Sequence, residues 1–154
     1  MKLTTKGQYA VRALVALAFL SEDKIPVSLE VLSNVEDISR NYLEQLFFKL
    51  KKRGIVCGVK GPGGGYILGK SSDKVTVSEI IFTVEDSQVP LKCFEKPVKE
   101  DCDRCLTHNV WLKLSEKINE FLSSITLKDI VDESRALLQT RYEEYENNKV
   151  KSLS

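Results

Sequence analysis

Cys93, Cys102, Cys105 and His108 bring four potential metal ligands into one stretch of sixteen residues, and His108 is the only histidine of the chain. The last three are spaced at intervals of three residues, after a polar segment that proline interrupts. Thiolates and a neutral imidazole bind zinc and iron–sulfur clusters. Close groups of cysteine and histidine readily bind metals, and the pattern therefore predicts a metal centre held by these four side chains.

The residue types alone leave three kinds of chemistry open for this segment. Three thiolates and one imidazole suit structural zinc as well as an iron–sulfur cluster. Cys102 and Cys105 also have the Cys-x-x-Cys spacing of a thiol–disulfide pair, although that interpretation gives Cys93 and His108 no function. The remaining cysteine, Cys57, is remote from the others in sequence and is interpreted as a small packing residue.

Three helices followed by a β-hairpin are predicted in the N-terminal half. Apolar residues at helical spacing predict a first helix over residues 6–20, Ser28 opens a shorter second helix, and Ser39 caps a third that ends before Gly54. Two β-prone segments flank the sequence Gly61-Pro62-Gly63-Gly64-Gly65, which suits a tight hairpin tip. This order predicts a mainly α fold with a small β-hairpin wing, that is, a winged helix-turn-helix.

Helical periodicity returns beyond the hairpin. Thr76 or Ser78 starts a short helix, and His108 begins a longer one. Thr126 can cap a last helix, whose polar end from Glu143 onward is expected to fray. The helix that begins at His108 carries its apolar residues on one face, namely Trp111, Leu114, Ile118, Phe121 and Leu122. Such a face needs a partner surface, and a second copy of the chain is the natural one, because a two-fold dimer matches a palindromic site on DNA.

The predicted organisation has three parts. Residues 1–85 form a winged helix-turn-helix DNA-binding domain, residues 86–107 form a metal- or cluster-binding loop, and residues 108–154 form a dimerisation helix and a C-terminal helix with a polar tail. Charge is divided similarly: residues 1–70 hold 11 Lys and Arg against 6 Asp and Glu, a net of +5, whereas residues 71–154 hold 12 against 16, a net of −4. A basic half joined to an acidic half fits a nucleic-acid-binding module with a separate control module.

Several functional classes are disfavoured. Arg12 interrupts the apolar stretch 10–20, and no small-residue cleavage site follows it, so this stretch is interpreted as a buried helix rather than a signal peptide. We therefore expect a cytoplasmic protein without a membrane partner. We find no nucleophile–base pair or further cofactor motif that indicates an enzyme. A small iron–sulfur electron carrier is the rival class, but it has no need of a base-reading helix, a basic wing or the charge asymmetry.

In a helix-turn-helix, residues near the start of the second helix reach base edges in the major groove of DNA. In this chain the corresponding positions are Ser39, Arg40, Asn41, Glu44 and Gln45. Arg40 can bind guanine with two hydrogen bonds, and Asn41 or Gln45 can bind adenine. Glu44 can accept a hydrogen bond from the amino group of cytosine. The basic residues that follow are expected to meet the DNA backbone or the helix dipole, namely Lys49, Lys51, Lys52 and Arg53.

The hairpin tip supplies a second candidate contact with DNA. Lys60 adjoins small and turn-forming residues that let the backbone approach closely, namely Gly61, Pro62, Gly63 and Gly64. A thin basic wing of this kind fits a minor groove or a pair of phosphates. The segment lacks the G-x-x-x-x-G-K-[ST] pattern of a nucleotide-binding loop, so a nucleotide site is not predicted there.

Four sequence motifs make the chain similar to the Rrf2 family of bacterial regulators. They are Met1-Lys2-Leu3-Thr4-Thr5-Lys6-Gly7-Gln8-Tyr9-Ala10, Tyr42-Leu43-Glu44-Gln45-Leu46-Phe47, Gly61-Pro62-Gly63-Gly64-Gly65-Tyr66, and Cys105-Leu106-Thr107-His108 with Trp111. The similarity runs from Met1 to about Val131, and the second and third motifs are highly specific together. Within the family, the chain most resembles the regulators of iron–sulfur cluster assembly.

The resemblance implies a winged-helix homodimer that binds a pseudo-palindromic site on double-stranded DNA. It implies a [2Fe–2S] cluster bound by Cys93, Cys102, Cys105 and His108. It places the following residues at DNA-reading positions: Ser39, Asn41, Tyr42, Glu44, Gln45 and the wing residues 60–65. Such regulators resemble sensors whose cluster occupancy alters which promoters are bound, often with repression of cluster-assembly genes. Related members carry [4Fe–4S] clusters, or have no cluster and answer to a protein partner, but the Leu-Thr-His-x-x-Trp context of His108 favours [2Fe–2S].

Overall fold

The computed structural model describes residues 5–85 and 107–153, and α-helix dominates both ranges. The helices in the described residues are α1 (Thr5–Leu20), α2 (Leu29–Glu36), α3 (Arg40–Lys52), α4 (Val77–Val84), α5 (His108–Ser123) and α6 (Leu127–Leu153). The strands β1 (Val56–Val59) and β2 (Gly65–Leu68) follow α3, and a 3₁₀ turn spans Ser72–Lys74. The predicted fold, mainly helical with a small hairpin wing, is therefore confirmed.

The first helix lies at the centre of the hydrophobic core. Small and aliphatic side chains on α1 are completely buried, including Ala10, Ala13, Leu14 and Leu17. Alanines on this surface allow neighbouring helices to approach closely, and α2, α4 and α6 all contact α1. Among the described residues, no helix has both the length and the apolar character that crossing a membrane requires.

Local capping interactions fix the start of both helices of the helix-turn-helix. The Ser28 hydroxyl accepts a hydrogen bond from the backbone N–H of Val31 at 3.2 Å, at the start of α2. The Ser39 hydroxyl likewise accepts one from the N–H of Tyr42 at 3.1 Å, at the start of α3. Between the helices, Asp37 adopts a left-handed conformation with φ 53° and ends α2. Both predicted N-caps are confirmed, and each such cap contributes about 1 kcal/mol to stability.

The hairpin wing is attached to the rest of the fold at two points. Its strands pair antiparallel, with Val59 opposite Gly65 beside the tip. Val27, in the loop before α2, exchanges two backbone hydrogen bonds with Tyr66 of β2, at 2.9 and 2.8 Å. The ring of Tyr66 also lies edge-on against Phe47 of α3, with ring centres 5.0 Å apart. The wing is therefore held beside α3, the helix with the predicted base-reading residues, instead of extending freely.

The C-terminal helix α6 completes the core that the N-terminal elements begin. Leu127, Val131 and Leu138 are buried in the same cluster as the apolar face of α1. The predicted cap of α6 is confirmed, because the Thr126 hydroxyl accepts a hydrogen bond from the N–H of Asp129 at 3.2 Å. The Asp129 carboxylate accepts one in return from the N–H of Thr126 at 2.9 Å. This reciprocal pair is a capping box that fixes the entry into α6.

The end of α6 differs from the sequence-based expectation. The helix continues to Leu153, whereas fraying was expected from Glu143 onward. Residues 143–153 contain no glycine or proline, and their three Glu, two Lys and one Leu have high helix propensity. Gln139 donates a hydrogen bond to Glu143 at 2.9 Å, and the rings of Tyr142 and Tyr145 lie 6.3 Å apart. Local propensity and these neighbouring contacts outweigh the lack of buried apolar residues in this segment.

Candidate nucleic-acid interface and metal centre

The residues predicted to read bases are exposed together at the start of α3. They are Ser39 at the N-cap, followed by Arg40, Asn41, Glu44 and Gln45. The opposite face of the helix is buried in the core through Leu43, Leu46, Phe47 and Leu50. Burial of that apolar face fixes the rotation of α3 about its own axis. The polar residues consequently face solvent, as the major-groove contacts of a helix-turn-helix require.

Tyr42 has a different position from its polar neighbours. It is partly buried, and its ring lies edge-on to Tyr9 of α1, with ring centres 5.7 Å apart and planes at 89°. Loss of hydration through partial burial raises the pKa of Tyr42 above its ordinary value. Its backbone N–H is the group that Ser39 binds. Both residues position the first turn of α3, and their direct contact with DNA remains a prediction.

Arg40 and Glu44 form an exposed ion pair on the reading face. The guanidinium and carboxylate approach to 3.5 Å, one helical turn apart, and both side chains are more than half exposed. An ion pair in this setting contributes below about 1 kcal/mol, because solvent screens both charges. The pair therefore orients Arg40 along the helix and can open at small cost when a base edge or a phosphate competes for the guanidinium.

Two of the basic residues near the end of α3 contact α4 instead of pointing freely into solvent. The Lys49 ammonium donates a hydrogen bond to the Val84 carbonyl at 3.3 Å. The Arg53 guanidinium lies 5.2 Å from the centre of the Phe82 ring. These contacts link the reading helix to the helix that precedes the ligand segment. Lys51 and Lys52 are exposed, and they keep the predicted role of meeting the DNA backbone.

The hairpin tip presents the predicted wing residues to solvent. Lys60, Gly61, Pro62 and Gly63 are exposed, and Gly64 is partly buried. Gly61 and Gly63 have φ values of 98° and 72°, a region of backbone conformation that other residues rarely adopt. The shape of the tip therefore depends on glycine at these two positions. With the hairpin held against α3, the Lys60 ammonium is carried on a defined protrusion beside the reading face.

The predicted ligand segment is described only at its ends. Cys93, Cys102 and Cys105 lie outside the described residues. His108 is the first residue of α5, and its side chain likewise lies outside what the structure describes. The start of α5 is fixed by a hydrogen bond from the Trp111 indole N–H to the hydroxyl of the preceding N-cap residue, at 3.1 Å. Within residues 5–85 and 107–153, no group of three Cys, His, Asp or Glu side chains is placed to hold a metal ion.

The other end of the ligand segment begins beside the start of α1. Glu85, the last described residue before the gap, accepts a hydrogen bond from the backbone N–H of Gly7 at 3.2 Å. Two residues further along α1, Tyr9 makes its edge-on contact with Tyr42 of the reading helix. The last described residue before the predicted ligand segment therefore lies within a few residues of the contact that positions α3.

Sequence reasoning missed a buried ionic cluster behind the helix-turn-helix. Glu36 is the last residue of α2, and its side chain is only 2% exposed. The Arg12 Nε lies 3.2 Å from one carboxylate oxygen, and Arg141 Nη1 lies 3.0 and 3.1 Å from the two oxygens. These partners are 24 and 105 positions away in sequence, so no local pattern joins them. The available signal was Arg12 itself, a charge within the otherwise apolar stretch 10–20.

The interpretation of Cys57 as a packing residue is wrong. It lies on β1 with its side chain exposed. Of the four residues of this strand, only Val56 is buried. The outer part of the hairpin projects beyond the core, which is why a small apolar side chain there stays exposed.

Comparison with known proteins agrees with this arrangement. The profile of the Rrf2 family, described as an iron-dependent transcriptional regulator, matches residues 3–133. The transcriptional regulator IscR of Photorhabdus laumondii is 45% identical over 137 residues, which cover 89% of this chain and 83% of the relative. IscR of Yersinia enterocolitica is 46% identical over 132 residues, covering 86% and 80%.

Solved structures show the same relationship. The structure of T. potens IscR has a TM-score of 0.70 and 38% identity, and the match covers 87% of this chain and 88% of that one. CymR, the global cysteine regulator of B. subtilis, has a TM-score of 0.71 and 31% identity, covering 86% and 97%. The relatives of the present chain are named as transcriptional regulators and not as enzymes. The chain belongs to the Rrf2 family and is a DNA-binding, winged-helix transcription regulator.

Proposed function

We propose that the protein is an iron–sulfur cluster-dependent regulator that binds pseudo-palindromic operators as a homodimer. In this proposal, cluster occupancy or redox state alters which promoters are bound, with repression of cluster-assembly or redox-response genes. The observation that carries the proposal is the position of the two residues that flank the predicted ligand segment. Glu85 contacts the first turn of α1, close to the residues that position α3, and Thr107 precedes the start of α5.

The exposed apolar face of α5 supports the homodimer. Trp111, Leu114 and Phe121 are all exposed, and α5 contributes no fully buried side chain in the described structure. A large exposed apolar surface of this kind usually marks an interaction site. A second copy is the partner that fits a DNA-binding protein, because two-fold symmetry pairs one α5 with the other and presents two reading helices to two half-sites.

The donor set of the ligand segment fits an iron–sulfur cluster. Cys93, Cys102, Cys105 and His108 would hold it, with three thiolates and one imidazole. A bound cluster would supply a redox-active centre that is sensitive to the supply of iron and sulfide. The sequence context of His108, Leu-Thr-His-x-x-Trp, favours [2Fe–2S] over [4Fe–4S] or zinc. The chain's own contribution is to bring the four ligands together between two fixed ends.

Two contacts provide a route from the ligand segment to the reading helix. Glu85 binds the first turn of α1 through Gly7, and Tyr9 on the same helix supports Tyr42. We propose that gathering the ligands restrains residues 86–107 between Glu85 and α5. This restraint would bias the orientation of the reading surface relative to the dimer helix. DNA affinity and site preference that are identical with and without the cluster, across several sites, would contradict this coupling.

Removing one ligand tests the metal centre. We expect wild-type protein, purified without oxygen, to be red-brown and to contain about two irons and two sulfides per chain. His108→Ala is expected to alter the visible absorption spectrum and to lower the iron content, because one of the four donors is lost. Iron, sulfide and zinc analysis of both proteins provides the measurement.

Cys57→Ser is the matched control for this experiment. It removes the one cysteine that lies outside the ligand set, and its side chain is exposed, so we expect the spectrum and the metal content to stay unchanged. A colourless protein that contains only zinc, or no metal after reconstitution, would overturn the iron–sulfur proposal. Membership of the Rrf2 family would be unaffected, and control would then rest on zinc, thiol chemistry or a protein partner.

Substitutions in α3 and in the hairpin wing are expected to change DNA binding in different ways. Gln45→Ala should relax the preference for one base pair by about 1–3 kcal/mol, because a base-edge contact is lost. Lys60→Ala should weaken binding to all sequences similarly, because a phosphate contact is lost. The slope of the logarithm of the binding constant against the logarithm of the salt concentration should become shallower by about one. Titrations of specific and random duplexes at several salt concentrations separate the two effects. Equal losses on both duplexes for Gln45→Ala would remove Gln45 from the base-reading set.

A further inference from the structure

An aromatic side chain is exposed on the same face of α3 as the predicted base-reading residues. Phe48 is 62% exposed, whereas its neighbour Phe47 is completely buried in the core. At roughly 100° per residue, Asn41, Gln45, Phe48 and Lys52 fall within an arc of about 60° around the helix axis. Phe48 therefore lies on the same face of α3 as the polar residues that are predicted to enter the major groove. It is the apolar member of this reading line.

The ring of Phe48 is accompanied by a cation. The Lys52 ammonium lies 4.6 Å from the ring centre, within the range of a cation–π contact. This contact brings a positive charge to the far end of the reading face, where it can meet a phosphate. An apolar ring with a cation beside it suits a surface where DNA presents an apolar group next to its charged backbone.

We propose that Phe48 is a specificity-determining residue that contacts the C5-methyl group of a thymine in each half-site. The thymine methyl is the apolar group that the major groove displays, and Phe is among the residue types that contact it. Phe48 lies roughly 4.5 Å beyond Gln45 along the helix axis, slightly more than the roughly 3.4 Å between successive base pairs. The thymine is thus assigned to the base pair next to the one that Gln45 meets, with Lys52 on the adjacent phosphate. This inference rests on the DNA surface proposed for α3.

Deoxyuridine substitution tests the contact directly, since uracil differs from thymine by the methyl group alone. Duplexes that bind the metal-loaded full-length protein are selected from a randomised library. Each thymine of the tightest duplex is then replaced in turn by deoxyuridine. At one position in each half-site, we expect wild-type affinity to fall about fourfold, the factor that corresponds to about 0.8 kcal/mol for one buried methyl group. The same replacement should leave the affinity of Phe48→Ala unchanged.

Two further variants define what the ring contributes. Phe48→Leu keeps an apolar side chain and should retain part of the thymine preference. Leu137→Ala removes an exposed apolar residue on α6, outside the reading line, and should show the wild-type profile of deoxyuridine effects. Because Phe48 is exposed, its removal is expected to leave the fold intact, which circular dichroism of each variant checks.

Two results would overturn the inference about Phe48. In the first, wild type and Phe48→Ala show the same deoxyuridine effects at every position. In the second, Phe48→Ala weakens binding equally on selected and random duplexes, which would assign the ring to the DNA backbone. A library from which the wild-type protein enriches no sequence would instead overturn the proposed DNA surface of α3 itself. The outcomes of the two proposals are therefore distinguishable.

Discussion

Replacing both arginines that bind Glu36 is expected to lower the free energy of unfolding by about 3–5 kcal/mol, because the double variant leaves a buried carboxylate without a partner. The Glu36 side chain is 2% exposed, whereas those of Arg12 and Arg141 are 45% and 41% exposed, so water that enters in place of the guanidinium groups replaces only part of the lost hydrogen bonding. Arg12→Met with Arg141→Met keeps the apolar parts of both side chains and removes only their charged groups. Native stability is typically about 5–15 kcal/mol, so this loss is a large fraction of it. Urea denaturation at equal protein concentration and equal metal content measures the change.

The identity of the destabilising group can be checked in the same background. Adding Glu36→Gln to the double variant removes the buried charge and should recover a substantial part of the lost stability. Either single arginine variant should cost less than the double variant, because the other arginine still binds the carboxylate. A double variant that unfolds at the wild-type urea concentration would show that the cluster contributes nothing to the stability of the fold.

A single acidic substitution on α5 is expected to separate the proposed dimer. Phe121 is 64% exposed in the chain, and two-fold symmetry would bury it twice, once in each copy. Burial of one Phe121 ring contributes about 1.5–3 kcal/mol to the free energy of dimerisation. Because each dimer buries two rings, Phe121→Asp is expected to weaken dimerisation by about 3–6 kcal/mol. The dissociation constant of the dimer should rise by a factor of about 10²–10⁴. Sedimentation equilibrium over a range of protein concentrations measures this constant.

Leu137→Asp is the matched control, since Leu137 on α6 is similarly exposed at 56% and lies outside the proposed interface. We expect this variant to dimerise like wild type. Loss of the dimer should also weaken binding to a two-half-site operator far more than binding to a single half-site, because only a dimer contacts both half-sites at once. Wild-type association of the Phe121→Asp protein would exclude this part of α5 from the interface.

The elements that local chemistry specifies were predictable from the sequence. Ser28, Ser39 and Thr126 cap the helices that they were expected to cap, because a hydroxyl that binds an N–H three residues ahead acts within one helical turn. The tight hairpin tip was predictable for a similar reason, because the positive φ values of Gly61 and Gly63 depend on residue type alone. The exposed residues of α3 followed from the apolar periodicity of its opposite face.

Features that depend on distant residues could not be predicted in this way. Glu36 is buried only because α1 and α6 bring Arg12 and Arg141 to it across 24 and 105 positions. Exposure of Cys57 depends on how far the hairpin projects from the core, which no local pattern specifies. The position of Phe48 was accessible in principle, because an apolar residue in the polar line of an amphipathic helix is visible in the sequence. The relation of the four predicted ligands to one another remains a prediction.

The attachment of the wing at Val27 and Tyr66 has a consequence for how control can operate. The two backbone hydrogen bonds and the Tyr66–Phe47 contact make the hairpin and α3 a single unit. Such a unit recognises its half-site with fixed internal geometry, whatever the state of the ligand segment. A signal that reaches the protein can then change the distance and angle between two such units far more readily than the bases that each one prefers. We therefore expect promoters under different control to differ in the spacing of their half-sites more than in the half-site sequence.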